Sequence, residues 1–233
     1  MQLSVIMPVY DEGQTVSAIV ERVLAVPIDH EIVLVNDASS DDTSAIVEQL
    51  ASTRVRVIQH PINRGKGASI RTGLEAATGE VIVIQDADLE YDPMDMLRLL
   101  APITEGQADV VYGVRSLESQ KRIMRWGNRF LTFMTNLLYN QHLQDMETCY
   151  KMMRREIAVG LDLECRRFDI EAEITAKLLQ AGYTIHEVPI SYTARYENKK
   201  LTQLDGLSTL RALWIYRRWK PSSNNRYSVK NKT

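Results

Sequence analysis

The run Val81-Ile-Val-Ile-Gln-Asp86-Ala-Asp88-Leu-Glu90 is a short β-branched segment that ends in three acidic residues spaced by two. In an extended chain, residues i and i+2 point to the same side, so the three carboxylates can converge where the strand leaves its sheet. Ligands of open α/β sheets bind at the carboxyl ends of strands. Carboxylates gathered there need a cation, and hard oxygen ligands suit Mg²⁺ or Mn²⁺ carrying a diphosphate. The plainer reading of the same run is a solvated acidic turn that caps the helix after Pro93.

Two further strand ends carry polar chemistry. Val33-Leu-Val-Asn36-Asp37 runs into Ala-Ser-Ser-Asp-Asp-Thr, where helix capping accounts for Ser40, Asp41 and Asp42 but not for Asn36 and Asp37. Asp37 is placed to bond a base or a ribose. Pro8-Val-Tyr10-Asp11-Glu12-Gly13 sets an aromatic ring and carboxylates on the same rim. Asn63-Arg-Gly-Lys-Gly-Ala-Ser-Ile-Arg-Thr-Gly73 resembles a phosphate loop but fits neither GxxxxGK[ST] nor GxGxxG. Its glycines read as the start of a helix packed tightly on the sheet, with Arg64 or Lys66 near a nucleotide as the alternative.

The elements that position these ends follow a regular rhythm. To about residue 115, the apolar runs LSVIMP, EIVLVN, RVRVIQ, EVIVIQD and ADVVYG alternate with segments of helical period. That alternation signals βαβ units and a mostly parallel, doubly wound sheet with helices on both faces. Helices are predicted over Gly13–Ala25, Asp41–Ala51, Gly65–Ala77 and Pro93–Ile103, the last capped by Asp92 before Pro93. After Arg115 come a long helix over Lys121–Asn140 and a polar turn containing LQDMETCYKMMRREI. A helix in FDIEAEITAKLLQAG stopped by Gly182, a strand over Tyr183–Tyr192 and a last helix over 204–219 complete the pattern. A single domain over 1–220 is expected, with 221–233 a polar, disordered tail.

Composition narrows the classes. The chain has 233 residues, 45% apolar and 25% charged, which is an ordinary globular balance. Lys plus Arg number 28 against 30 acidic residues, so no basic footprint for nucleic acid is visible. Cys149 and Cys165 have no metal-ligand spacing and read as reduced core or loop thiols. The N-terminal segment reads as a buried strand rather than a signal peptide. No apolar run reaches the length of about 18 residues that a membrane span needs, so the chain is expected to be soluble or to lie on a membrane surface.

The segments VIMPVYDE, VLVNDASSDDT, NRGKGASIRTG, VIVIQDADLEYDP, GVRS, RWGNRFLTFMTNLLY, LQDMETCYK, FDIEAEITAKLLQAGYTIHEVPISY and RYENKKL follow one another from residue 4 to about 201. Together they resemble the family 2 glycosyltransferases of the polyprenyl-phosphate group, similar to dolichol-phosphate mannose synthases. The resemblance implies a GT-A fold, a nucleotide-sugar donor such as UDP-glucose or GDP-mannose, Mg²⁺ or Mn²⁺ as cofactor, and a polyprenyl-phosphate acceptor. It also implies a cytoplasmic protein, peripheral on the cytosolic membrane face. By position, Pro8, Tyr10, Glu12, Asp37, Arg64, Asp86 and Ala87 would hold the nucleotide sugar. Asp86, Asp88 and Glu90 would hold the metal. Arg115 and Arg129 would meet the acceptor phosphate, and Arg195 and Lys200 would close on the diphosphate, so that Asp88, Arg115, Arg129, Arg195 and Lys200 carry catalysis.

The chemistry is coherent with those roles. In an inverting transfer the leaving diphosphate gains charge that a metal and a closing Arg or Lys stabilise most in the transition state. A phosphate monoester acceptor is already an anion near neutrality, its second pKa being about 6, so no general base is required. A sugar-hydroxyl acceptor is the alternative, and would need a carboxylate base, for which Glu171 or Glu173 is available. A catalytically silent relative that binds a nucleotide sugar or a membrane partner is the remaining one. Ile123, Trp126, Phe130, Phe133, Met134, Leu137 and Leu138 form an apolar stripe near Arg122, Arg125 and Arg129, which suits either core packing or a lipid surface. Residues 207–220 read as an interfacial helix or as one that closes the domain.

Overall fold

The computed structural model describes residues 1–195 and 203–221, with side chains in the last helix from Gly206 onward. Seven strands form one sheet: β1 (Leu3–Val9), β2 (His30–Asn36), β3 (Val55–Gln59), β4 (Val81–Ile84), β5 (Val110–Arg115), β6 (Lys151–Arg154) and β7 (His186–Ile190). Their order is β3-β2-β1-β4-β6-β5-β7. Only β6 runs antiparallel to its neighbours, and the remaining pairings are parallel. Eight α-helices are described: α1 (Val16–Leu24), α2 (Thr43–Leu50), α3 (Lys66–Ala76), α4 (Met96–Thr104), α5 (Arg122–Tyr139), α6 (Arg155–Gly160), α7 (Ile170–Gln180) and α8 (Gln203–Tyr216).

The expected α/β architecture is therefore present, and the sequence reading needs one addition. The segment expected to be a polar turn around LQDMETCYKMMRREI contains β6 and the start of α6. Lys-Met-Met-Arg has neither β-branched residues nor clean alternation, so its strand conformation comes from tertiary pairing with β4 and β5 rather than from propensity. Lys151 is fully buried in that strand. Its Nζ donates to the carbonyls of Met146 and Thr148 at 2.7 and 2.6 Å and lies 4.6 Å from the Tyr112 ring centroid. The predicted strand over Tyr183–Tyr192 is confined to His186–Ile190, an edge strand, where Pro189 removes no ladder bond from a further neighbour.

Strands β1, β2 and β4 are apolar on both faces because helices cover both. From β1 the chain winds outward to β2 and β3, then returns to place β4 on the other side of β1. The gap between the carboxyl ends of β1 and β4 is thus the switch point at which open α/β sheets bind ligands. A smaller apolar cluster joins α5, α7 and α8 through Leu131, Met146, Ala172, Ala176, Ala212 and Leu213. It carries α5 and α7 over the same end of the sheet. Gly182 follows α7 at φ +83°, the left-handed conformation expected of a helix-stopping glycine.

Helix α7 is anchored by a buried ion pair. Glu173 and Lys177, one turn apart and both fully buried, approach to 2.7 Å. Glu173 also accepts from the amides of Glu164 and Cys165 at 2.8 and 2.7 Å. Removing one partner leaves a buried charge and two unmet amides. Glu173→Ala is therefore expected to lower unfolding stability by about 3–5 kcal/mol in urea denaturation. A loss under 1 kcal/mol would show that Glu173 is not the anchor.

Candidate functional site

A cavity of about 440 Å³ opens at the switch point. Ten predicted site residues line it: Pro8, Tyr10, Glu12, Asp37, Asp86, Ala87, Asp88, Glu90, Arg115 and Arg195. Arg64 and Arg129 do not. Both are exposed, Arg129 on the outer part of α5, and Lys200 lies outside the described residues. Of the two residues considered there, Arg64 and Lys66, it is Lys66, the first residue of α3, that lines the cavity.

The strand ends are shaped by strained backbone. Asp11, Ala38 and Leu89 adopt φ of +47°, +57° and +63°, each just beyond the end of β1, β2 or β4. Such conformations cost about 1–2 kcal/mol in a residue with a Cβ, and structures retain them where the surroundings fix them, often at sites of function. Here the ends are cross-tied: Ser40 donates from its amide to Asp11 at 2.6 Å, and the Glu12 amide donates to Thr43 Oγ1 at 2.9 Å. Asn36, fully buried, is a latch, donating to Ser44 and Gln59 at 2.8 and 2.6 Å.

Asp37 has a structural task besides any contact with a base. Its Oδ1 accepts from the Arg64 amide at 2.9 Å and meets His60 Nδ1 at 2.7 Å, while Oδ2 accepts from the Gly65 amide at 2.7 Å. Gly65 itself has φ +91°, and a Cβ there would strike the Arg166 carbonyl. Glycine is required at that one position, and it brings the start of α3 against the loop before α7.

Lys66 lies at the centre of the charge arrangement. Its Nζ is 2.8 Å from Asp86 and 2.7 Å from Glu171, the latter in the first turn of α7. Burial alone would lower its pKa, but Asp86 and Glu171 outweigh that and hold it well above the ordinary lysine value. Asp88 receives no such partner. Burial, together with Asp86 and Glu90, pushes it up to about 7. Two carboxylates beyond one strand end, of which only Asp86 meets an ammonium that it shares with Glu171, are what a divalent cation would complete, so these residues fit a metal. Among the described residues no three His, Cys, Asp or Glu side chains converge to hold an ion. Asp86 and Asp88 thus form a two-carboxylate set of the kind that Mg²⁺ uses together with water and substrate phosphates.

Glu90, expected as a third metal ligand, is engaged elsewhere. Its Oε2 accepts from the Tyr192 hydroxyl and its Oε1 from the Arg195 amide, both at 2.6 Å. The Arg195 guanidinium makes a two-pronged pair with Glu12, at 2.8 Å on each prong. Glu90 and Glu12 therefore strap the segment after β7 across the cavity wall. Arg115 is 7% exposed at its side chain and gives Nε and Nη2 to Asp145 at 2.7 and 2.8 Å, leaving Nη1 uncommitted to that carboxylate.

Sequence reasoning missed Glu147 in the cavity wall, which lies in the segment read as a polar turn. Burial and the nearby Glu171 push Glu147 up to about 7. Of the two glutamates available as a base, Glu171 lines the cavity and Glu173 does not, being closed into its pair with Lys177. Cys149 is buried, its sulfur lies 3.4 Å from the Ile84 carbonyl, and burial raises its thiol pKa well above the ordinary value, as for a core thiol.

The comparisons with known proteins agree with this geometry. The chain is 33% identical over 172 residues to an undecaprenyl-phosphate 4-deoxy-4-formamido-L-arabinose transferase from Pseudomonas savastanoi pv. phaseolicola, covering 70% of this chain and 50% of that protein. It is 27% identical over 229 residues to a polyprenol monophosphomannose synthase from Mycolicibacterium smegmatis, covering 92% and 85%. The chain thus spans about half the length of the first relative and most of the second. Among solved structures it is similar to glucosyl-3-phosphoglycerate synthase from Mycobacterium tuberculosis in complex with Mn²⁺, UDP-glucose and phosphoglyceric acid. The TM-score is 0.72 at 19% identity, covering 95% of this chain and 81% of that one, which is a likeness of fold. The family model described as "Glycosyl transferase family 2" matches residues 4–160, well over half of the chain, and spans β1 to the end of α6, including the acidic strand end; the chain belongs to that family.

Proposed function

We propose that this protein transfers one hexose, with inversion, from a nucleotide sugar to a polyprenyl phosphate at a membrane surface. The observation that carries the reading is the meeting, in one cavity at the β1/β4 switch point, of Asp86 and Asp88, only the first of which is paired with Lys66, and the buried Arg115. The two named relatives, a polyprenol monophosphomannose synthase and an undecaprenyl-phosphate sugar transferase, support a polyprenyl-phosphate acceptor.

Pro8, Tyr10 and Asp37 line the part of the cavity at the ends of β1 and β2, where the nucleoside would lie. Asp86 and Asp88 would hold Mg²⁺ or Mn²⁺, which would supply Lewis-acid stabilisation of the leaving diphosphate. Arg195, released from Glu12 or sharing it, is positioned to meet charge that develops on that diphosphate. Arg115 presents a fixed cation, held in orientation by Asp145, to an incoming phosphate. The acceptor needs no deprotonation, so Glu147 and Glu171 are not required as bases. Arg129 lies outside the cavity and would act only on an acceptor that approaches along α5.

A transfer assay tests the reading directly. Radiolabelled UDP- and GDP-hexoses, undecaprenyl phosphate in liposomes and Mn²⁺ should give an organic-extractable, mild-acid-labile product. Asp88→Asn should lower its rate by on the order of 10²–10³-fold, the scale of losing one preorganised charge stabiliser. An unchanged rate would sink the metal assignment, and label that stays aqueous with every donor would move the acceptor to a soluble molecule.

The surface of α5 supports the membrane part of the proposal. Ile123, Trp126, Phe130, Phe133 and Leu137 are all more than half exposed, so core packing does not account for them. Met134 and Leu138 are half-buried, and the buried face is instead Leu131, Thr132 and Thr135. Leu207, Trp214 and Ile215 of α8 are also exposed, and Arg122 and Arg129 flank the apolar face of α5. No helix among the described residues is long and apolar enough to cross a membrane. Apolar rings with basic neighbours suit the interface of an anionic bilayer. The double variant Trp126→Ala/Phe130→Ala should cut flotation with phosphatidylglycerol liposomes by about tenfold while leaving thermal stability unchanged. Undiminished flotation would place the contact elsewhere.

A further inference from the structure

The cavity holds a second acidic pair that the metal and diphosphate do not use. Glu171 belongs to the first turn of α7 and is 6% exposed, and Glu147 belongs to the segment before β6. Both line the cavity, and each has one buried carboxylate oxygen, Oε2 of Glu171 and Oε1 of Glu147, with no hydrogen-bond partner. A buried acceptor without a donor costs about 1–3 kcal/mol and is rare in folded proteins. Two such atoms from separate elements, in the wall of one cavity, point to a ligand that brings donors.

Their place identifies the ligand. One ammonium, that of Lys66, spans Asp86 and Glu171 at 2.8 and 2.7 Å, so Glu171 stands one cation's width from the carboxylate assigned to the metal. A sugar linked to a metal-bound diphosphate would lie within reach of it. The nearest positive charges are already engaged: Lys66 serves Asp86 and Glu171, and Lys151 donates to two backbone carbonyls beside Glu147. What the two oxygens lack is a neutral donor, and hydroxyl groups are neutral donors. We propose that Glu171 and Glu147 accept hydrogen bonds from hydroxyls of the donor sugar and determine which hexose is transferred. This rests on the reading of the cavity as a nucleotide-sugar site.

The test compares binding of sugar and of bare nucleotide. Calorimetry in Mn²⁺ would titrate UDP, GDP, UDP-glucose, UDP-galactose and GDP-mannose into the wild-type protein, Glu171→Gln and Glu147→Gln, with circular dichroism confirming that each variant is folded. Glu147→Gln leaves the Lys66 pair intact, so it tests the proposal even if Glu171→Gln disturbs the fold. For the preferred donor, Glu147→Gln should bind the nucleoside diphosphate within about twofold of wild type, and in each variant the nucleotide sugar should weaken at least about tenfold more than the diphosphate, with discrimination between epimers lost. Equal weakening of diphosphate and sugar nucleotide would overturn the proposal, since the carboxylates would then serve the metal. Unchanged sugar affinity with lost turnover would also overturn it, in favour of a base acting on a hydroxyl acceptor. If the wild-type protein binds none of these nucleotides, the nucleotide-sugar reading itself fails and the inference with it.

Discussion

One buried ammonium holds the site together. Lys66 joins the end of β4, through Asp86, to the start of α7, through Glu171, and it does so from the first residue of α3. Two consecutive elements, α3 and β4, are thereby fixed to the distant α7 around one cavity. The arrangement is also short of positive charge, because Lys66 is shared by two carboxylates and Asp88 feels only the Arg195 guanidinium, which is itself clasped by Glu12. Burial and its acidic neighbours raise Asp88 to about 7, so full ionisation near neutrality requires a further cation.

The opposite wall answers with paired charges. Arg115 with Asp145 and Arg195 with Glu12 are each clasped by two hydrogen bonds, which fixes planar guanidinium groups in the cavity before any phosphate arrives. The Arg195 pair differs from the Arg115 pair in being less buried and in belonging to a strap whose other tie is Glu90. The left-handed residues beyond β1 and β2 complete a frame whose two strand ends are tied to each other through Asp11–Ser40 and Glu12–Thr43.

The sequence disclosed the frame more readily than the wall. Five β-branched runs and their intervening periods identified the parallel half, since buried parallel strands are apolar on both parities. The acidic segment was legible as the sequel to a strand, but the strand stops at Ile84 and residues 86–90 lie in a bend with Leu89 at φ +63°, so the pleat does not align their carboxylates. By contrast, β6 was hidden because Lys151-Met-Met-Arg154 has no strand propensity of its own, and with it went Glu147. Glu90 looked like a metal ligand by spacing alone; it ties Tyr192 and Arg195, a pairing across more than a hundred residues that no local pattern reveals. The apolar stripe of α5 was ambiguous for a similar reason, as helical period shows that a face exists but not whether anything covers it.

The central claim is that the carboxylates of β4 form a metal site completed by a diphosphate. Electron paramagnetic resonance of Mn²⁺ titrated into the protein, with and without UDP or GDP, tests it most directly. Mn²⁺ alone should bind weakly, bind at least about tenfold more tightly with one of the two nucleotides, and lose both modes of binding in Asp86→Asn/Asp88→Asn. Binding that is indifferent to nucleotide, or that survives the double substitution, would contradict it.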